Sequence, residues 1–149
     1  MSNKAVTTER ILEEFQELVA GSVLTNERIA RSLGVSVVDW QAFSVIARAR
    51  SPLTAGELSS LTSLPTSTTT RVIDRLERQG FVERAPEPTD RRRVVVLPKP
   101  EVLARFTSDN DDNPYRAIKD AMREVHEGFS VEELTVVERY LRTVNAAFH

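Results

Sequence analysis

The 149-residue chain is 40% hydrophobic and 28% charged, with a formal net charge of -2, the balance of an ordinary soluble protein long enough for one domain with a core, or for a small module with an interaction layer. Two large domains do not fit in that length, and the apolar stretches, only a few residues long, exclude a membrane-spanning helix. With no cysteine, disulfides, thiolate metal ligands and cysteine redox switches are chemically excluded.

In chain order, Ile11, Leu12, Phe15, Leu18, Val19, Val23, Leu24, Ile29 and Leu33 recur at threes and fours. That spacing predicts a long amphipathic helix over residues 8–33, stopped by Gly34. The first residues lack the basic region and apolar core of a secretory signal, so a cytoplasmic location is expected. Ser36 and Asp39 stand at capping-box spacing, and Trp40, Phe43, Ile46 and Ala47 form a second helical stripe that ends before Ser51 and Pro52. Thr54 and Glu57 make another capping box, opening a short helix through Leu58 and Leu61. A further helix is expected over residues 66–79, with Val72, Ile73 and Leu76 inward and Gly80 closing it.

After Gly80 the period changes from helix to strand. Residues 81–85 and 93–97 are short apolar or β-branched runs around a turn-rich segment, 86–91, which predicts a hairpin. Beyond Pro98 the chain returns to helix, broken at residues 108–114 by a polar, acidic stretch ending in Pro114. Helix is expected again over residues 114–127. Ser130 and Glu133 then form a third capping box, with Leu134, Val137, Tyr140, Leu141, Val144 and Phe148 on one face of the last helix.

The net charge argues against nucleic acid, but its distribution does not. Residues 48–99 hold ten basic and six acidic side chains, a local +4 that leaves -6 on the rest; a basic middle between acidic ends fits a DNA-reading module. A helix entering the major groove needs small hydrogen-bonding side chains in its first turns and cations further on for phosphates. Thr66, Ser67, Thr68, Thr70, Arg71 and Arg75 fit that pattern, although a Ser/Thr cluster alone equally marks a helix start. The hairpin tip adds Asp90, Arg91, Arg92 and Arg93. A narrow minor groove attracts an inserted arginine, and a neighbouring carboxylate can hold that arginine extended; by itself such a run could also be a solvated charge cluster.

Residues 53–97, from Leu53-Thr54-Ala55-Gly56-Glu57-Leu58 through Ser67-Thr68-Thr69-Thr70-Arg71 and Gln79-Gly80-Phe81-Val82 to Asp90-Arg91-Arg92-Arg93-Val94, resemble the core signature of the MarR family of transcription regulators. The resemblance implies a mainly α fold with a small β-hairpin wing: a winged helix-turn-helix with a helical dimerisation layer. It divides the chain into a dimerisation helix at 1–34, a DNA-binding module at 35–98 and C-terminal dimerisation helices at 99–149. It further implies a homodimer, most simply a repressor, on double-stranded DNA with a pseudo-palindromic operator. In that family's pattern Arg92 enters the minor groove and Asp90 orients it. Three positions depart from the pattern. Pro65 stands where a capping serine is common, shifting the cap to Thr66; Pro98 replaces a capping threonine; and residues 108–114 interrupt what is normally one long helix.

MarR-type regulators commonly take a small aromatic effector between dimer layer and DNA module, which makes Trp40, Phe43, Tyr115 and His126 candidate liners; each also reads as a core or surface residue. The terminal apolar stripes fit a dimer interface. No enzyme, metal or cofactor pattern is present: the two histidines, His126 and His149, have no zinc-motif spacing, and the five glycines form no phosphate loop. A winged helix used for protein contacts is the competing reading, and the three arginines at the wing tip disfavour it.

Overall fold

The computed structural model describes residues 3–148. They form α1 (Asn3–Ser32), α2 (Val37–Arg48), β1 (Leu53–Thr54), α3 (Ala55–Thr62), α4 (Thr66–Arg78), β2 (Val82–Pro86), β3 (Val94–Pro98), α5 (Pro100–Thr107), α6 (Arg116–Glu127) and α7 (Val131–Ala147). The fold is mainly helical with a small antiparallel sheet, in two compact units, Met1–Thr107 and Ser108–His149.

In the first unit, Gly34 takes a positive φ of 69° and turns the chain so that the Val35 N–H donates to the Ala30 carbonyl at 3.0 Å, a left-handed helix stop suited to glycine. Ser36 caps α2 by accepting the Asp39 N–H. The expected reciprocal bond from Asp39 does not form, because its carboxylate is committed to Arg75. The Trp40 indole N–H donates to Asn26 of α1 at 3.3 Å, tying the two helices together. Thr54 and Glu57 form the expected capping box of α3. Thr54 also belongs to a two-residue strand that the sequence reading treated only as a cap; Leu53 pairs with Val96 and Thr54 with Val95. The sheet order is therefore β1-β3-β2, with β3 in the middle.

Helix α4 buries Thr69, Val72, Ile73 and Leu76, spaced at threes and fours. It ends at Gly80, whose φ of 81° lets the Phe81 N–H reach back to the Leu76 carbonyl at 2.8 Å. These side chains meet Trp40, Phe43, Leu58, Val82 and Val95, all essentially solvent-free, in one core. Burying such side chains stabilises by about 1.5–3 kcal/mol each. The core fixes α3, α4 and the wing as one body.

In the second unit the polar break closes on itself: the Asn113 amide donates to the Ser108 carbonyl at 2.6 Å and accepts the Tyr115 N–H at 2.9 Å. Ser130 and Glu133 form the third capping box, as expected. Neither α6 nor α7 contains a buried residue.

Candidate nucleic-acid interface

Because Thr69, Val72, Ile73 and Leu76 face inward, helical geometry turns Ser67, Thr70, Arg71, Asp74 and Arg78 outward, and all five are exposed. Thr66 is exposed at the helix start and Thr68 lies half-buried on the flank. Pro65, not Thr66, occupies the N-cap, and no side chain caps the helix. The shift of the cap to Thr66 is thus corrected: proline's fixed φ suits the entry, and Thr66 is already in the first turn. Its uncapped N–H groups carry the positive end of the helix dipole.

The wing tip is a closed turn. The Arg93 N–H donates to the Asp90 carbonyl at 2.9 Å, and the Glu87 N–H donates to the Arg93 carbonyl at 2.9 Å. The Asp90 carboxylate accepts the backbone N–H of Arg92 at 3.1 Å, so it shapes the main chain beneath Arg92, where a bond to the guanidinium was expected. The three arginines are not equivalent. Arg93 reaches back to Glu57 of α3 at 3.3 Å and to Glu87 at 3.2 Å, whereas Arg91 and Arg92 are exposed with no ion pair among the described residues. Glu57 thereby serves both cap and wing. The Thr54 N–H, at 2.7 Å, and hydroxyl, with Arg93 beyond them, hold its carboxyl below the usual glutamate range.

Two further ion-pair clusters flank α4. Arg75 donates two hydrogen bonds, at 3.0 and 2.6 Å, to the carboxylate of Asp39 on α2, which is only 2% exposed. These bonds also raise the Arg75 pKa above its ordinary value. On the other flank Arg84 of β2 pairs with Asp74 at 2.6 Å and with Glu77. Burial works against the charge on Arg84, but its bonds to Asp74 and Glu77 outweigh that and hold its pKa up. Neither the cap spacing of Asp39 nor the strand pattern around Arg84 reveals these pairs, because each joins side chains of two different elements. Arg78, not among the expected DNA contacts, is exposed on the same helical face as Arg71 and Asp74, and its spacing of four from Asp74 and seven from Arg71 is the signal that could have found it.

Trp40 and Phe43 pack in an aromatic cluster of this unit, with ring centroids 5.7 Å apart and Phe106 5.3 and 5.6 Å from them. Phe81 stands edge-on to Phe43 at 5.3 Å. Both residues are almost fully buried. In the second unit Tyr115 is half-buried at the start of α6, and His126 is exposed in its last turn.

Three helices packed behind a hairpin, with an outward helix and a cationic wing tip on one body, define a winged helix-turn-helix. Residues 33–93 match the MarR family. An uncharacterized HTH-type transcriptional regulator of Bacillus subtilis, YcgE, is 40% identical over 84 residues, which are 56% of this chain and 54% of the relative. A MarR family protein from Bacillus stearothermophilus superposes with a TM-score of 0.70 at 24% identity, covering 99% of both chains. The multiple antibiotic-resistance repressor MarR of Listeria monocytogenes gives a TM-score of 0.62 at 17% identity over 99% of this chain and 98% of that one. The chain spans little more than half the length of the curated relatives it matches. Over residues 33–93 the chain is therefore similar to the MarR family of helix-turn-helix transcriptional regulators, and its fold is theirs.

Proposed function

We propose that the protein binds double-stranded DNA as a homodimer and regulates transcription without catalytic activity, most simply as a repressor. The observation that carries this reading is the outward face of α4, with Ser67, Thr70 and Arg71 exposed, on the same compact unit as the wing's Arg91 and Arg92, which are exposed and have no ion pair among the described residues. The helix offers hydrogen-bonding groups to base edges in the major groove, joined by Thr66 and Thr68 at its start, while the wing offers cations to a neighbouring minor groove. Arg93, held by two carboxylates, supports the wing.

Dimerisation is favoured by the apolar side chains left exposed on three helices: Leu12, Leu18, Val23 and Leu24 on α1, Met122 and Val125 on α6, and Val137, Tyr140 and Leu141 on α7. Surfaces of that kind call for a partner, and a second copy is the simplest one. In this scheme residues 1–34 and 99–149 supply the dimer layer and residues 35–98 the reading module, and two-fold symmetry requires a pseudo-palindromic operator. No helix among the described residues is long and apolar enough to cross a membrane, and the proposed site of action is the cytoplasm. A small aromatic effector is the finer part of the proposal. Tyr115 and His126 are its more accessible candidate contacts in the second unit, while the candidates Trp40 and Phe43 are already packed in the core of the first.

The test is titration of labelled duplex, random and operator-enriched, across a salt series. Binding that falls steeply with salt and favours the enriched duplex is expected. Salt-insensitive binding, or none, would overturn the reading in favour of a protein-binding winged helix.

A further inference from the structure

We propose that Asp39 and Arg75 form a lock that sets the rotation of α4 about its own axis, making Asp39, a buried residue of α2, a determinant of sequence discrimination. The inference rests on the DNA-binding reading above. It also changes the part expected of Arg75, from a phosphate contact to a positioning residue.

The argument starts from the helix. Its inward residues, Thr69, Val72, Ile73 and Leu76, are two small β-branched side chains, one isoleucine and one leucine. Apolar packing is non-directional and tolerates a small roll. Reading bases does not, since the hydrogen bonds of Ser67, Thr70 and Arg71 weaken steeply with angle. Arg75 lies at the edge of the inward stripe, where a tie to another element opposes roll. Its planar guanidinium meets both Asp39 oxygens, at 3.0 and 2.6 Å, and a two-bond fork fixes orientation as well as distance. Asp39 is itself anchored, since its backbone N–H is held by Ser36 at 3.1 Å in the first turn of α2. On the opposite edge Asp74 and Glu77 are held by Arg84, so the outward face lies between two ionic ties to two different elements. The Arg75 side chain is 41% exposed, and an ion pair open to water on one side contributes little net stability; what this one adds is a defined angle.

The experiment uses the full chain and a randomised duplex library from which wild-type protein enriches its preferred sequence. Asp39→Asn, Arg75→Gln, the double variant and Arg75→Lys are compared in two ways: the ratio of affinities for enriched and scrambled duplex, and the salt dependence on scrambled duplex. Unfolding midpoints confirm that each variant is folded at the assay temperature. The lock predicts that each neutral single variant lowers the ratio about tenfold, the scale of one good base contact. The double variant, whose neutral partners can hydrogen-bond each other, should fall no further than the worse single. Arg75→Lys, which keeps the charge but loses the fork, should lie between. The salt slope should stay unchanged in Arg75→Gln, whereas a phosphate contact would lower it by about one per subunit. A slope that drops for Arg75→Gln, or a discrimination ratio untouched by Asp39→Asn, overturns the lock while leaving DNA binding standing. Should Asp39→Asn not fold, a ratio unchanged in Arg75→Lys overturns the lock by the same reasoning. If the wild type enriches no sequence, the DNA reading fails and the lock's role in discrimination fails with it.

Discussion

Residues 37–98 and residues 116–147 are both regular and both amphipathic, yet they end in opposite states. The first segment places Trp40, Phe43, Leu58, Val72, Ile73, Leu76, Val82 and Val95 out of water. The second, α6 and α7, buries no residue at all and leaves Met122, Val125, Val137, Tyr140 and Leu141 exposed. A helix wrapped by a sheet and two neighbours completes its own core. Two helices with one apolar stripe each have more such surface than they can cover between themselves. One region therefore carries its stability within the chain, and the other awaits the second copy proposed above.

The largest effect expected from this contrast is on folding. Leu76→Ala, at a fully buried site, should cost about 2–5 kcal/mol in denaturant unfolding, whereas Leu141→Ala at a half-exposed site should leave the dilute, monomeric chain nearly as stable. Equal losses at the two sites would erase the distinction. Next is assembly. Leu141→Lys and Val137→Glu should each shift sedimentation toward monomer at micromolar concentration, while a charge placed on the outward face of α4, as in Thr70→Lys, should leave the dimer intact.

Within the reading module the comparison narrows to helix against wing. Arg71→Ala should cost about 1–3 kcal/mol on the preferred operator and much less on random duplex. Arg92→Ala should weaken both alike and reduce the salt slope by about one per subunit, because the minor-groove pattern is degenerate. Quantitative titrations on the two duplexes separate the outcomes; a loss of discrimination on Arg92→Ala would reverse the assignment of roles.

The smallest expected effect concerns Glu57. Its folded pKa lies below the unfolded value through the Thr54 bonds and Arg93. The stability it contributes is therefore present above the unfolded pKa and lost as pH falls through the folded one. Unfolding followed from neutral pH into the acid range should show wild type and Glu57→Gln converging as the carboxylate is protonated. A gap that persists below the folded pKa would mean that the charged carboxylate, with its Thr54 bonds and Arg93, is not its source.

The local rules were readable from residues alone. Thr54 with Glu57 and Ser130 with Glu133 are capping boxes because each bond closes within four residues. Gly34 and Gly80 end helices because their backbone geometry is local, and the apolar spacing of Val72, Ile73 and Leu76 already determined which face of α4 points outward. What required the tertiary structure spans a distance in sequence. Leu53 and Thr54 are too short to register as a strand until β3 lies beside them. Asp39 reads as a capping acid until Arg75, thirty-six residues away, takes its carboxylate. Arg92 and Arg93 are indistinguishable as letters, and only the return of the wing over α3 gives Arg93 its partner Glu57 and leaves Arg92 with no ion pair among the described residues. Periodicity and capping are set by neighbours along the chain, whereas a charge's partner is set by which elements the core brings together.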